Sequence, residues 1–527
     1  MFDLNTSTFS FRGFLSGHQF LMMVSALSFL VIVSWVSRCV AIGTEEVSVG
    51  QCRSPSRERC QNTCYSLLSI LGARVSFPGS AVYESEQLYW SSQQASVRPA
   101  CRVTPISADD VSTTIHVLKS QGCQFAVKSG GHACFVGASN IENAVVIDLS
   151  NLNQIKISSN RKEVSVGAGT QWSNLYPVMD AAKIGVIGGR VDGIGVGGLT
   201  LGGGISFHSG RYGFACDNVN NYQVVLGNGS IRDINRASYP DLYWALRGGG
   251  NNFGIVTRFD LASFDQGDMW GGTTISSVTE LPSFIDALVN LNSNHASDPF
   301  AAVYLAYAYV PSAGTTLVSA TLDYGKPVVN PPIFRDFTAL PTISSSLRIT
   351  NLTSLINGTS AAQPSGLRES YWSLTILNDA KLINDICKIF DQEVENIINA
   401  TNVLPAFIFQ PISEPIMSHF SKNGGNALGI TAEDGPLILI NIAIQWTHIT
   451  DDSRIIAFAE NCVARSTALA KERNLWHRWI YQNYAALQQD VFPGYGNENH
   501  QRLIEISKKY DPDGVFVQLQ PGYFKIY

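Results

Sequence analysis

The spacing of hydrophobic residues changes along this 527-residue chain. Between about residues 100 and 263, short segments with the alternation of strands are interleaved with segments in which apolar residues recur at helical spacing. This pattern predicts helices over 109–121, 172–182 and 241–246, and strands over 124–127, 144–149, 154–158, 163–167 and 255–260.

The strand-like runs become longer between about residues 264 and 473. The pattern there predicts strands over 300–310, 316–324, 406–410 and 437–446, and helices over 374–399 and 454–472. Strands followed by covering helices indicate an antiparallel sheet with helices on one face, so the expected fold class is α+β. The tail from 481 to 527 is rich in aromatic residues, and we expect it to pack back on the body.

Glycines are concentrated in three turns. The first is Ser129-Gly130-Gly131-His132, the second lies within 188–213, and the third lies within 247–254. Interior glycines cost about 0.5–1 kcal/mol relative to alanine, so a ligand must lie against this backbone. Backbone N–H groups at such turns bind phosphate, and three turns fit an elongated ligand such as a dinucleotide. The alternative is a set of tight turns in a β-rich domain.

Two familiar nucleotide motifs are absent. Neither Gly-x-Gly-x-x-Gly at the start of a βαβ unit nor Gly-x-x-x-x-Gly-Lys-[Ser/Thr] occurs in the required context, which disfavours a Rossmann domain and a P-loop. Charged residues make up 15% of the chain, against roughly 25% in typical soluble proteins. With a formal net charge of −6, the composition excludes a nucleic-acid partner.

The N-terminal region has the pattern of a signal peptide. An uncharged run spans residues 20–36, and small residues precede a cleavage site after Ala41. Seventeen helical residues reach only about 25 Å, against a hydrocarbon core of about 30 Å. We therefore predict a signal peptide over 1–41, entry into the secretory pathway and no stable membrane partner. The alternative is a membrane anchor through residues 20–36.

The cysteines agree with an oxidising compartment. Five of them, in and just after a strap predicted over 42–96, indicate a disulfide framework: Cys52, Cys60, Cys64, Cys101 and Cys123. Zinc is the rival interpretation, but no His-x-x-x-His or second Cys-x-x-Cys pair supports it, so we expect no metal site. Four glycosylation sequons follow the signal, at Asn228, Asn351, Asn357 and Asn399.

Several motifs in fixed order carry a family resemblance. They are Lys-Ser-Gly-Gly-His at 128–132, the glycine-rich run at 188–207, Arg-Tyr-Gly at 211–213 with Asp-Asn-Val at 217–219, Arg-Gly-Gly-Gly-Asn-Asn-Phe-Gly at 247–254, Tyr-Gln-Asn-Tyr at 481–484 and Lys-Tyr-Asp-Pro at 509–512. The chain resembles the FAD-linked oxidoreductases, and most closely the berberine bridge enzyme-like branch. The resemblance implies a two-subdomain FAD-binding domain of the p-cresol methylhydroxylase type over 97–265, a substrate-binding domain over 266–475 and a C-terminal segment over 476–527 that returns to the FAD domain.

The resemblance also implies a covalent flavin. His132 matches the family histidine that bonds to the 8α-methyl group of FAD, and Val191 stands where doubly linked members have a cysteine, so we expect one link. By the same resemblance the cofactor is bound by Ser129, Gly130, Gly131, His132, Asn140, Val191, Gly193, Gly197, Gly198, Gly203, Gly249, Asn251, Gly254, Ile255 and Asn483.

Catalytic residues are expected in the second lobe and the tail. Tyr481 matches the family tyrosine that removes a proton, although packing is an equal alternative, and Gln445 is expected to orient the substrate. Cys134 replaces a tyrosine found in many relatives and is either a free thiol or a disulfide partner. By the same resemblance, Ile194 falls at the position that lines the oxygen pocket, and its shape is intermediate between the valine of oxidases and the leucine of dehydrogenases. Molecular oxygen is the expected acceptor, and a dehydrogenase is the alternative.

These features together predict an FAD-dependent oxidoreductase, more specifically an oxidase that abstracts a hydride from a small organic molecule. An intermediate of secondary metabolism is the favoured substrate. A carbohydrate oxidase is one alternative, and a non-catalytic binding protein with a flavin fold is another.

Overall fold

Three β-sheets organise the described part of the chain. The structure is a computed structural model, and it describes residues 55–359 and 363–527. The predicted signal peptide, the alternative anchor and Cys52 lie outside the described residues. Within them no helix is long and apolar enough to cross a membrane.

The first sheet is small and mixed. Cys101–Val103 and Phe125–Lys128 both lie parallel to Val145–Asp148, and Val75–Ser76 closes one edge in antiparallel orientation. In chain order its strands are β1 (Val75–Ser76), β2 (Cys101–Val103), β3 (Phe125–Lys128) and β4 (Val145–Asp148). Because β3 ends at Lys128, the first glycine turn begins at the carboxyl end of a buried strand.

The second sheet is antiparallel and is built around one long strand. Its strands are β5 (Ile155–Ile157), β6 (Glu163–Gly167), β7 (Ile184–Val186), β8 (Val219–Val225), β9 (Ile231–Asn235) and β10 (Ile255–Asp265). The long strand β10 pairs with β6, β7 and β8. Since β10 starts at Ile255, the third glycine turn also lies at a strand end.

The third sheet has nine strands and is antiparallel throughout. They are β11 (Met269–Ser277), β12 (Ala301–Val310), β13 (Thr315–Tyr324), β14 (Ser344–Ser345), β15 (Arg348–Thr350), β16 (Arg368–Leu377), β17 (Leu404–Ile412), β18 (Leu437–Trp446) and β19 (Trp476–His477). The order β12-β17-β18-β16 forms its centre.

Helices cover one face of this large sheet, as the sequence predicted. The described helices of the chain are α1 (Pro55–Leu71), α2 (Ala81–Glu86), α3 (Ser92–Ala95), α4 (Ala108–Gln121), α5 (Trp172–Ala182), α6 (Val196–Leu201), α7 (Ser209–Tyr212), α8 (Pro240–Ala245), α9 (Leu281–Asn294), α10 (Arg335–Thr338), α11 (Leu352–Thr359), α12 (Ala380–Val394), α13 (Glu414–Ser418), α14 (Asp452–Glu472) and α15 (Asn497–Tyr510). Helices α9, α12 and α14 contact the sheet and bury its apolar face in a separate core cluster.

The helix predicted over 374–399 is wrong at its start. Residues 374–377 belong to β16, which is paired along its whole length with β18. The helix begins at Ala380, after the Asp379 side chain accepts a hydrogen bond from the N–H of Leu382. The alternating run Trp-Ser-Leu-Thr-Ile-Leu at 372–377 has strand periodicity, which the helical window obscured.

Two disulfides fasten α1 to the first sheet. Cys64 is bonded to Cys101 in β2, and Cys60 is bonded to Cys123 at the start of the chain segment that enters β3. The predicted disulfide framework is therefore confirmed for four of its five members. Among the described residues the buried thiols are Cys134, Cys216, Cys387 and Cys462.

The C-terminal tail packs against the third glycine turn. Asn251 donates a hydrogen bond to the Gly522 carbonyl at 3.3 Å and accepts one from Lys525 at 3.0 Å. Asn252 donates to the Phe524 carbonyl at 3.1 Å. These contacts bring the chain end next to the residues predicted to bind the cofactor.

Candidate active site

The three glycine turns meet at one cavity. Gly130 and Gly195 lie back to back there: a Cβ built on Gly130 would be 2.3 Å from the nitrogen of Gly195, and one built on Gly195 would be 2.3 Å from the nitrogen of Gly130. Ser129 Oγ donates to the Ala168 carbonyl at 2.6 Å and fixes the first turn. Any side chain at these two glycines would force the turns apart.

His132 is fixed in the wall of this cavity. The Trp90 indole stacks on its imidazole with ring centroids 4.0 Å apart and planes 12° from parallel. Burial lowers the pKa of His132 to about 4, because desolvation disfavours the charged ring. The imidazole is therefore neutral near pH 7 and keeps a nucleophilic nitrogen lone pair.

Most of the predicted cofactor-binding residues line the cavity. They are Ser129, Gly130, Gly131, His132, Val191, Gly197, Gly198, Asn251, Gly254, Ile255 and Asn483. Gly193 lies behind them, where its Cβ would be 3.7 Å from the His132 ring.

Besides Gly193, three other predicted cofactor-binding residues do not line the cavity. The Asn140 side chain donates its amide hydrogens to the carbonyls of Gln94 and Val97, so it holds the chain rather than a ligand. Gly203 packs under the Tyr481 ring, and Gly249 packs against Phe253 and the Ala245 carbonyl. These two glycines shape the turns from behind.

The polar groups of the cavity fit a ligand rich in hydrogen-bonding atoms. Asn441 Oδ1, Gln520 Oε1 and both amide atoms of Gln482 are buried and have no hydrogen-bond partner among the described residues. All three side chains line the cavity. Buried polar atoms are normally satisfied, so a bound molecule is expected to complete these bonds.

The large sheet supplies the opposite wall. Tyr304, Tyr371, Ile408, Gln410 and Asn441 line the cavity from four neighbouring strands, β12, β16, β17 and β18. The sequence interpretation missed all five. Alternate residues of a strand lie on the same face of a sheet. This rule could have placed Ile408 and Gln410, which are two residues apart, on one face.

Gln445 does not reach this wall. It lies on β18 opposite Glu369 of β16 and is four residues beyond Asn441. Four strand residues span about 13 Å. The prediction selected the correct strand and the correct parity but the wrong position along it, and Asn441 is the amide of β18 that lines the cavity.

Tyr481 lines the cavity, but main-chain groups hold its hydroxyl. The oxygen accepts hydrogen bonds from the N–H groups of Gly204 at 2.9 Å and Ile205 at 3.3 Å, and from Asn483 Nδ2 at 2.9 Å. Burial raises the pKa of Tyr481 and outweighs these three bonds, which lower it. This geometry favours a packing and positioning role over that of a base.

Tyr484 is better placed for proton transfer. Arg190 Nη2 donates a hydrogen bond to the Tyr484 hydroxyl at 3.1 Å, and that hydroxyl donates to Gln410 Oε1 at 3.4 Å. The Tyr-Gln-Asn-Tyr motif contains both tyrosines, so sequence alone did not separate their roles.

Cys134 is a buried thiol in the cavity wall. It therefore forms no disulfide within the described residues. Burial raises the pKa of Cys134, which keeps the sulfur protonated. Ile194 also lines the cavity, next to the second glycine turn.

Comparison with known proteins agrees with this geometry. Residues 99–235 match the FAD binding domain family. The chain is 37% identical over 494 residues to FAD-dependent monooxygenase FUP4 of Fusarium proliferatum, an alignment that covers 89% of this chain and 94% of that protein. The chain belongs to the FAD-linked oxidoreductases.

Two solved structures share the fold of this chain. Glucooligosaccharide oxidase from Acremonium strictum superposes with a TM-score of 0.73 at 19% identity, covering 88% of this chain and all (100%) of that one. BBE-like 1 from Physcomitrella patens superposes with a TM-score of 0.70 at 21% identity, covering 86% and 97%. The chain is thus an FAD-linked oxidoreductase, and its glycine turns and unsatisfied amides form a site that fits FAD.

Proposed function

We propose that this protein is an FAD-dependent oxidase that takes a hydride from a small, carbon-rich organic molecule. The observation that carries the proposal is the continuity of one cavity from the glycine turns to the polar groups of the large sheet. When bound, FAD supplies the acceptor for the hydride. The residues of this chain hold the cofactor, orient the substrate and exchange its proton.

His132 is the proposed covalent attachment point. Its neutral, stacked imidazole at the first turn supports this role. Glucooligosaccharide oxidase from Acremonium strictum has a 6-S-cysteinyl, 8α-N1-histidyl FAD. Val191 lines the cavity here and offers no thiol, so one link is proposed. Ser129, Gly130 and Gly131 would contact the cofactor through the first turn.

Proton exchange with the substrate is assigned to Tyr484. Its hydroxyl lies between Arg190 and Gln410, on the side of the cavity formed by the large sheet. Tyr481 supports this region by packing against Tyr484, with ring centroids 4.9 Å apart. Replacing Tyr484 with Phe is expected to slow reduction by substrate at least about a hundredfold, the lower end of general acid–base effects. Tyr481→Phe is expected to act mainly on stability.

The walls near the sheet favour a carbon-rich substrate, and an intermediate of secondary metabolism is the preferred class. Ile408, Tyr304 and Tyr371 offer apolar and aromatic surface there. A carbohydrate is the second candidate, supported by the sugar oxidase among the structural neighbours. A substrate screen that follows bleaching of flavin absorption under anaerobic conditions tests both classes, and a flavin that no organic compound reduces would favour a binding protein instead.

Molecular oxygen is the proposed acceptor, with Ile194 lining its access. An oxidase consumes one O₂ for each substrate oxidised by two electrons and releases one H₂O₂. Curated relatives are named monooxygenases, which place one oxygen atom in the product and reduce the other to water with two further electrons. Turnover under ¹⁸O₂ distinguishes the two: the proposal requires H₂O₂ in equal amount to product and no ¹⁸O in the product.

The secretory route and the domain boundaries are also proposed. Two disulfides and exposed sequons at Asn228, Asn357 and Asn399 support secretion, whereas Asn351 is half-buried. Mature protein should begin after Ala41 and lose mass on treatment with peptide N-glycosidase. Retention of residues 20–36 in a membrane fraction would support the anchor.

The boundary at 265/266 lies between the last strand of the second sheet and the first of the third.

A further inference from the structure

The cavity contains one charged side chain among the described residues that line it. That residue is Arg190, and the other ionisable groups in the wall are His132, Cys134 and several tyrosines. His132 and Cys134 are both neutral near pH 7, because burial lowers the pKa of His132 to about 4 and raises the pKa of Cys134. The wall therefore has a net positive charge.

The glycines before Arg190 determine where its side chain goes. A Cβ built on Gly188 or Gly189 would lie 2.0 Å or 2.7 Å from the Trp172 ring, so both residues pack flat on the indole. The Tyr176 hydroxyl donates to the Gly189 carbonyl at 2.7 Å and fixes the chain there. The next residue, Arg190, leaves this anchored segment and enters the cavity.

The partners of Arg190 leave its charge uncompensated. Its Nη2 group donates to Gln410 Oε1 and to the Tyr484 hydroxyl, and its guanidinium lies 5.1 Å from the centre of the Tyr304 ring. None of these three partners is a carboxylate side chain. None of the ion pairs among the described residues includes Arg190.

Asp323 is the buried acid whose charge would interact with Arg190. It is 1% exposed, and both carboxylate oxygens lack a hydrogen-bond partner among the described residues. Burial raises the pKa of Asp323 to about 8, although Arg190 lowers it. A carboxyl group in this state is mostly protonated near pH 7 and does not neutralise the guanidinium.

We propose that Arg190 selects substrates that carry an anionic oxygen, such as a carboxylate, an acidic enol or an acidic phenol, on a carbon-rich body. The planar guanidinium pairs with such an oxygen, and Tyr304, Tyr371 and Ile408 contact the body. Held by Gln410 and Tyr304, Arg190 loses little freedom when the anion binds. This inference rests on the proposed function and names the substrate class of the same site.

The test compares an anion with a neutral molecule of the same shape. Benzoate and benzamide are titrated into purified yellow holoenzyme, and binding is followed by the change in flavin absorption. The expected result is at least about tenfold tighter binding of benzoate, which is about 1.4 kcal/mol. Equal affinity, or no binding of benzoate at millimolar concentration, would overturn the inference.

Variants of Arg190 assign the effect to its charge. Arg190→Gln should lose the preference for benzoate and keep its affinity for benzamide, whereas Arg190→Lys should retain part of the preference. Arg211 is the matched control, because it is also packed on aromatic rings but lies outside this cavity, and Arg211→Gln should bind both compounds as the wild type does.

Two further outcomes separate this inference from its premises. A preference for benzoate that survives in Arg190→Gln contradicts the assignment of Arg190 to substrate binding. Protein that contains no flavin contradicts the proposed function itself, and this is measured before the titration.

Discussion

Replacing Glu369 with Gln should make the protein more stable at neutral pH. Glu369 lies on β16 beside the cavity wall, its side chain is 4% exposed, and its Oε1 atom has no hydrogen-bond partner among the described residues. Burial raises its pKa from 4.5 to about 9, so the folded protein holds a proton that the unfolded chain has lost at pH 7.

The magnitude follows from the two pKa values. Because the pKa of Glu369 is raised in the folded state, its contribution to the free energy of unfolding is fully present below about pH 4.5. That contribution is lost progressively as the pH rises to about 9. Each pH unit in this window corresponds to about 1.4 kcal/mol, so at pH 7 the buried carboxyl destabilises the fold by up to about 3 kcal/mol. Glutamine has the same shape and no proton to take up.

Urea unfolding at two pH values checks this prediction. Glu369→Gln should raise the free energy of unfolding at pH 7 by up to about 3 kcal/mol and leave it nearly unchanged at about pH 4.5. Glu472 is the control, since it is exposed at the end of α14, and Glu472→Gln should shift stability by less than about 0.5 kcal/mol. A Glu369→Gln protein that is no more stable than the wild type at pH 7 would refute the reasoning.

Three further changes test other parts of the structure. Gly195→Ala should cost about 1–3 kcal/mol of stability and lower FAD content, because its Cβ would overlap the facing turn, whereas Gly267→Ala, with open space around it, should do neither. Removing the Cys64–Cys101 disulfide with Cys64→Ser and Cys101→Ser should lower the free energy of unfolding in urea, without reductant, by about 4 kcal/mol. This disulfide joins cysteines 37 residues apart and so restricts the unfolded chain. Trp90→Leu should reduce covalent flavin attachment more than total flavin binding, because the histidine loses its stacking partner. Unchanged FAD content in the glycine variant, an unchanged midpoint without the disulfide, or full attachment without the indole would contradict each in turn.

The large sheet was predictable because its strands have a clear period. The run over 437–446 was predicted as a strand, and the structure gives Leu437–Trp446. The glycine turns were predictable as a ligand site for a different reason, since no core element has such a density of residues that weaken it. Composition and periodicity together were sufficient for the fold class.

The sequence did not predict which residue along a strand reaches the cavity. The sequence gives the face of each β18 side chain but not how far the cavity extends, so Gln445 was chosen instead of Asn441. Arg190 was not among the predicted site residues, because it lies in a glycine-rich run that was interpreted through its glycines. Its role depends on Gln410 and Tyr484, which are 220 and 294 residues away in sequence.

Peptide mass spectrometry tests the proposed covalent link between His132 and FAD. Wild-type protein is denatured in acid and digested, and the mass of the peptide that contains residues 129–132 is measured. We expect this peptide to carry the mass of FAD in the wild type, and we expect no peptide to carry it in His132→Ala. An unmodified wild-type peptide would contradict the covalent link, and flavin that stays attached in His132→Ala would show a second link elsewhere.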